Sequence, residues 1–187
     1  MTLSEEDGKL YYRLWLPLLD FVNKKYDIIR RIVCVVTENN LHMQEVKTIS
    51  DKLYDNIGLI DEYLALHSEL SEEHKAIILG FKNFVRGDFL LERHLKKGSV
   101  MINTENQKVY LVSGIVSSFE ELFFTFPMPL LIKATLLPFK DVIITDGLFA
   151  PYAMNIGSNL KKQFKDIYTE AKAEGEIISD LNKGVVR

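Results

Sequence analysis

A chain of 187 residues with 47% apolar and 26% charged side chains carries enough hydrophobic material for one core or two small ones, which excludes the disordered and fibrous classes. Its net charge of −3 supplies no broad positive field to draw a phosphate backbone, so a general nucleic-acid binder is not expected. A single cysteine, Cys34, rules out an intramolecular disulfide, and no apolar run reaches the roughly 20 residues of a membrane-spanning helix.

Met1–Asp7 is acidic where a secretory leader needs a basic start, so cytoplasmic residence is the expectation. Ser4-Glu5-Glu6-Asp7 has the cap and acidic first turn of a helix. Tyr11, Leu14, Trp15, Leu18 and Val22 then recur at helical spacing, to about Asn23. Pro17 lies inside that pattern and predicts a kink or two shorter pieces. Ile28–Val36 fits either a helix or a buried strand, and helix is the reading we adopt; Cys34 within it reads as a small buried thiol. Val46, Ile49 and Leu53 mark a further helix, which Asn56-Ile57-Gly58 closes or bends before Leu59, Ile60, Tyr63 and Leu64. Ser71-Glu72-Glu73 caps a helix with Ile77, Ile78, Phe81, Phe84 and Val85 on one face, stopped by Arg86-Gly87.

At Asp88 the apolar rhythm changes from 3.6 to 2 residues, so residues 1–87 read as a helical region and 88–187 as a β region closed by a helix. Strands are expected over Phe89–Leu95, Ser99–Ile102 and Val109–Val112, forming an antiparallel meander through two polar turns. Ser118-Phe119-Glu120-Glu121 is a capping box opening a short helix. Strands resume at Leu130–Leu137, Asp141–Thr145 and Ala150–Ile156. Pro138 and Gly147 mark turns, and Asp146-Gly147 is a hairpin signal. Gly157-Ser158-Asn159 opens a last helix that stops at Gly175 and leaves a short tail. The predicted class is α+β: a helical region packed on a bent antiparallel sheet or partial β-barrel, with a C-terminal helix, in one compact unit.

Chemistry-bearing patterns are few. The four histidines, His42, His67, His74 and His94, show no metal-ligand spacing, no Gly-x-Ser-x-Gly elbow occurs, and isolated glycines make no phosphate loop, so neither metal nor cofactor is expected. Asp141 and Asp146 flank a strand about 16 Å long, too far apart to share a proton, and read as turn residues. If the fold builds a cleft, Asp88, Arg93, His94 and Asp146 are its candidates, for a hydrolase or transferase. Phe123, Phe124, Phe126 and Met128 lie in an aromatic and proline-rich connection suited to core packing or to a protein interface. Lys161, Lys162, Lys165 and Lys172 form a positive helix face open to nucleic acid or an acidic partner.

Trp15 with Leu18-Leu19, the segment Phe81-Lys82-Asn83-Phe84-Val85-Arg86-Gly87-Asp88-Phe89, Leu136-Leu137-Pro138-Phe139-Lys140-Asp141 and Ile143-Ile144-Thr145-Asp146-Gly147 together resemble an uncharacterised bacterial family common in Firmicutes. The resemblance covers nearly the whole chain and implies no activity and no catalytic residue. Relatives in that family that carry a cysteine-rich SEC-C zinc motif differ from this chain, whose one cysteine cannot build it. The leading expectation is a non-enzymatic cytoplasmic interaction or binding protein, its partner unspecified, followed by the cleft enzyme and then by nucleic-acid contact through the lysine face.

Overall fold

Two kinds of hydrophobic periodicity produce two compact units in the computed structural model, which describes residues 1–38 and 42–183. One unit is Glu6–Lys82; the other joins Met1–Glu5 to Asn83–Arg187. The class is α+β, as the change of rhythm predicts.

The helical unit is built from α1 (Glu5–Tyr26), α2 (Met43–Asp55), α3 (Leu59–Leu66) and α4 (Glu72–Gly80). The helix α1 is one element that runs through Pro17, not two pieces. Its buried stripe of Tyr11, Leu14, Trp15, Leu18, Leu19 and Val22 meets Ile49, Leu53, Ile60, Ile78 and Phe81 in the core, with the Trp15 and Phe81 rings edge to face at 5.5 Å. Asn56–Gly58 separates α2 from α3, and the Ser71 hydroxyl caps α4 by accepting from the His74 N–H, both as the sequence indicates. The helix α4 ends earlier than its pattern suggests. Phe81–Asn83 tightens into a 3₁₀ turn, and Phe84 and Val85 leave the helix, Val85 to begin a strand.

Ile28–Val36 is neither helix nor strand but a series of turns. Polar side chains of α1 capture its backbone: buried Asn23 accepts from the Ile29 N–H at 2.8 Å and donates to the Ile29 and Ile32 carbonyls at 3.4 Å, and Asp20 accepts from the Val35 N–H at 2.7 Å. Those local bonds replace the i→i−4 ladder a helix needs. Cys34 in this loop is half-buried rather than buried.

In the second unit, β1 (Val85–Leu95), β2 (Gly98–Asn103) and β3 (Val109–Val112) form the expected antiparallel meander. The short helix α5 (Phe119–Leu122) follows, opened by the expected capping box: the Ser118 hydroxyl accepts from the Glu121 N–H, and the Glu121 carboxylate accepts from the Ser118 N–H at 2.8 Å. Then come β4 (Leu130–Phe139), β5 (Val142–Thr145), the two-residue β6 (Ala150–Pro151) and α6 (Ser158–Glu174). The strand order is β1-β2-β3-β5-β4-β6, and β1 also pairs with β4, which closes β1-β2-β3-β5-β4 into a barrel. Five pairings are antiparallel, and one, Val112 with Ile143 between β3 and β5, is parallel.

Three local expectations change. Pro138 does not turn the chain: it lies inside β4 opposite Ile143, and the reversal is at Lys140–Asp141, with Lys140 at φ 52°. Because the ladder to β1 ends at Leu136, the N–H that Pro138 lacks has no strand to serve on that side. Asp146-Gly147 does turn, with Gly147 at φ 82° and Asp146 accepting from the Leu148 N–H, but the following β6 pairs with β4 and not with β5, so no β5–β6 hairpin forms. The strand expected over Ala150–Ile156 is reduced to Ala150–Pro151.

All five barrel strands send alternate side chains into one core, among them Phe89, Met101, Tyr110, Ile132 and Ile143, closed off by Phe119 and Phe123. A second cluster lies on the outer face, where Phe164, Tyr168 and Ala171 of α6 cover Leu90, Val100, Ile102 and Val109. Covered on both faces, β2 is buried along its whole length. Gly114 anchors the start of the chain to this unit: its N–H donates to the Met1 carbonyl and its carbonyl accepts from the Leu3 N–H. A Cβ at Gly114 would sit 2.0 Å from the Ser117 carbonyl oxygen. Gly114→Ala is therefore expected to lower stability by about 1–3 kcal/mol, read as a fall in the urea midpoint at unchanged slope.

Candidate functional site

Strand β1 positions three of the four cleft candidates, and its bulge decides where they go. Between Leu91 and Arg93 the register to β2 shifts, so Arg93 stands opposite Val100, on the face that α6 covers. There the guanidinium lies 4.4 Å above the Tyr168 ring and forms an ion pair with Glu92, with one Nη donating at 2.8 Å. The hydrogen bonds to Glu92 hold the Arg93 pKa above its ordinary value. His94, one residue on, stands opposite Ser99, and its Nδ1 is 2.8 Å from the Ser99 hydroxyl. Burial pushes the His94 pKa down; the Glu120 charge on α5 opposes that shift, and the chain's amino terminus adds to it.

Asp88 occupies a different part of β1, opposite Lys133 of β4. Its carboxylate accepts from the Tyr152 hydroxyl at 2.7 Å, an interaction that raises the Tyr152 pKa. Five residues of strand, about 16 Å, separate Asp88 from Arg93. Asp146 is buried beyond the end of β5: its N–H donates to the Thr135 carbonyl, and Thr135 pairs with Arg86. Three of the candidates engage different neighbours, Asp88 with Tyr152, Arg93 with Glu92 and Tyr168, and His94 with Ser99, while Asp146 bonds both within its turn and to Thr135 of β4. No group of three or more His, Cys, Asp or Glu side chains among the described residues is arranged to hold a metal ion. No helix among them is long and apolar enough to cross a membrane.

The connection between β3 and β4 is where the sequence-flagged aromatics lie. Phe123 points inward, stacked with Phe119 and edge to face with Phe149 at 5.2 Å, so it belongs to the barrel core. Met128 is partly buried against the same core. Phe124 is 81% exposed and Phe126 39%, the latter edge-on to Phe123 at 5.7 Å; Leu122 at 44% and Val116 at 72% belong to the same connection. The exposed aromatics follow directly on α5, which is capped at Ser118 and is flanked by the buried rings of Phe119 and Phe123.

The four lysines of α6, Lys161, Lys162, Lys165 and Lys172, are exposed, with Asp166, Glu170 and Glu174 among them. What sequence reasoning missed is the segment after α6. Gly175 ends the helix at φ 73°, and the chain then lies beside β3: the Leu111 N–H donates to the Ile178 carbonyl and the Ile178 N–H to the Val109 carbonyl, each at 2.9 Å. Its composition alone, Glu176-Ile177-Ile178-Ser179-Asp180-Leu181, has an apolar pair that marks a short strand.

Comparison with protein-family models, with curated proteins and with solved structures finds no match to this chain.

A pH effect follows from the His94 environment. Its imidazole is less basic folded than unfolded, so the unfolded chain binds the extra proton and stability falls as pH drops below about 6.5. His94→Gln is expected to flatten that part of the stability profile, measured by urea unfolding between pH 7.5 and 5.

Proposed function

We propose that this protein is a non-enzymatic binding protein whose contact surface is the exposed apolar patch on the β3–β4 connection. The observation that carries this reading is Phe124, a phenylalanine 81% exposed in the turn just after the capped helix α5, in the same connection as the exposed Val116, Leu122 and Phe126. Aromatic side chains on a rigid base bury large apolar area at little entropic cost, which is the chemistry of a protein interface. Catalysis is less well supported, because Asp88, Arg93 and His94 of β1 each engage a different neighbour, Tyr152, Glu92 and Ser99 in turn.

The barrel connectivity bears on the nucleic-acid alternative. A closed five-stranded Greek-key circuit with a short helix between β3 and β4 is the arrangement of OB-type barrels, which take oligonucleotides and oligosaccharides across the second and third strands. That parallel is one of connectivity, and connectivity does not carry function by itself. In this chain α6 lies over that face, and the β2 and β3 side chains beneath it, Val100, Ile102 and Val109, are aliphatic rather than basic or stacking. The lysines on the far side of α6 alternate with carboxylates, which weakens their attraction for phosphate.

A cytoplasmic setting, and membership of the uncharacterised Firmicutes family, belong to the same proposal; neither brings an activity with it. The test is paired affinity capture from a bacterial host extract with the unaltered chain and with Phe124→Asp. The expected result is a protein retained by the first and lost by at least tenfold from the second, with both melting at the same temperature. Equal retention by the two would remove the patch from the account. Retention of nucleic acid that falls steeply with salt would replace it with the lysine face.

A further inference from the structure

The barrel has a seam. Strands β3 and β5 meet through a single paired position, Val112 with Ile143, where the other four junctions of the circuit each pair four or more positions. The rest of the β3 edge is taken by the segment after α6, in parallel, through the two backbone hydrogen bonds of Ile178. Its two isoleucines fall on opposite faces as a strand's neighbours do, Ile178 on the inner core and Ile177 on the outer cluster under α6; Leu181, three residues on, also packs on the inner core, so the alternation covers the isoleucine pair and does not extend to it. A groove of about 450 Å³ remains alongside, lined by Val85, Lys108, Tyr110 and the segment itself.

From this arrangement we propose that the β3 edge at the seam is a strand-accepting site. Its resident occupant is the chain's own Glu176–Leu181, and the occupant that exchanges with it is the same segment of a second copy. An open strand edge offers main-chain donors and acceptors to any extended chain, and specificity comes from where alternate side chains fall. The seat fits this ligand because it already holds that sequence, one isoleucine on each face. The segment's main-chain attachment to β3 is two bonds, beside the packing of Ile177, Ile178 and Leu181 and an Asn83–Asn182 side-chain bond at 3.1 Å, and Gly175 at positive φ frees its direction from that of α6. This inference does not depend on the aromatic patch, and its test does not read it.

The test uses the full chain carrying Ile178→Pro, which removes the N–H that bonds the Val109 carbonyl and evicts the resident segment. The probe is a fluorescent peptide of residues 175–183, with a control peptide in which both isoleucines are serine. The expected result is at least tenfold tighter binding of the probe to the Ile178→Pro chain than to the unaltered chain, where the resident competes, and no binding of the control. A folded Ile178→Pro chain that ignores the probe, or that binds both peptides alike, overturns the proposal. If Ile178→Pro does not unfold cooperatively, amide exchange in the unaltered chain decides. Leu111 and Ile178 exchanging together at least tenfold faster than the β1–β4 ladder supports an exchangeable segment, and exchange at the ladder's rate overturns it.

Discussion

Strand β1 has to serve two neighbours, and the architecture of the second unit depends on that double pairing. Its first half, Val85 to Leu91, runs antiparallel to β4, and its second half, from Phe89, runs antiparallel to β2. Phe89, Leu90 and Leu91 belong to both ladders, one along each edge of the strand, and the bulge that follows supplies extra twist. Gly87 stands where the two ladders converge, with the Asn103 side chain 3.3 Å from the place a Cβ would take. Once β1 reaches both partners the sheet is a barrel. The parallel approach of β3 to β5 is then forced by strand direction, since β2 and β4 both run opposite to β1.

Closure decides which side chains are left at the surface. The interior is filled by side chains from all five strands. The outer face of β1, β2 and β3 is sealed by α6, and Arg93, which the bulge turns outward, stacks on Tyr168 of that helix. The connection from β3 to β4 must close one end of the barrel, so Phe119 and Phe123 point in while Phe124 and Phe126 are left at the surface. Partner binding through those rings is the reading that uses what the fold leaves outside.

Much of this was legible in the residues. Capping chemistry located α5 and α6 because it is local: Ser118 with Glu121, and Gly157 before the helix with Gly175 after it. The meander was legible because its turns join neighbouring strands. Readings failed where a distant group outvoted local preference. Ile28–Val36 is an apolar run that suits a helix or a buried strand, yet Asn23 and Asp20 claim its backbone. Pro138 looks like a chain reversal, yet it sits beyond the end of its β1 ladder, where a missing N–H costs nothing. The β1–β4 closure, the β3–β5 seam and the docking of the last segment on β3 are all long-range pairings, and period-2 alternation says that a strand exists without saying beside what. The bulge too is invisible to that alternation: Arg93, which an unbroken period would face inward with Phe89 and Leu91, stands opposite Val100 on the outer face.

The closed barrel is tested most directly by proton–proton contacts across the backbone in solution, measured by nuclear magnetic resonance at Phe89. The account predicts that Phe89 shows cross-strand contacts to Asn103 of β2 and to Ile132 of β4 in the same species. Contacts to Asn103 with none to Ile132 would mean an open sheet, and would contradict the closure on which the sealed face, the seam and the exposed rings all depend.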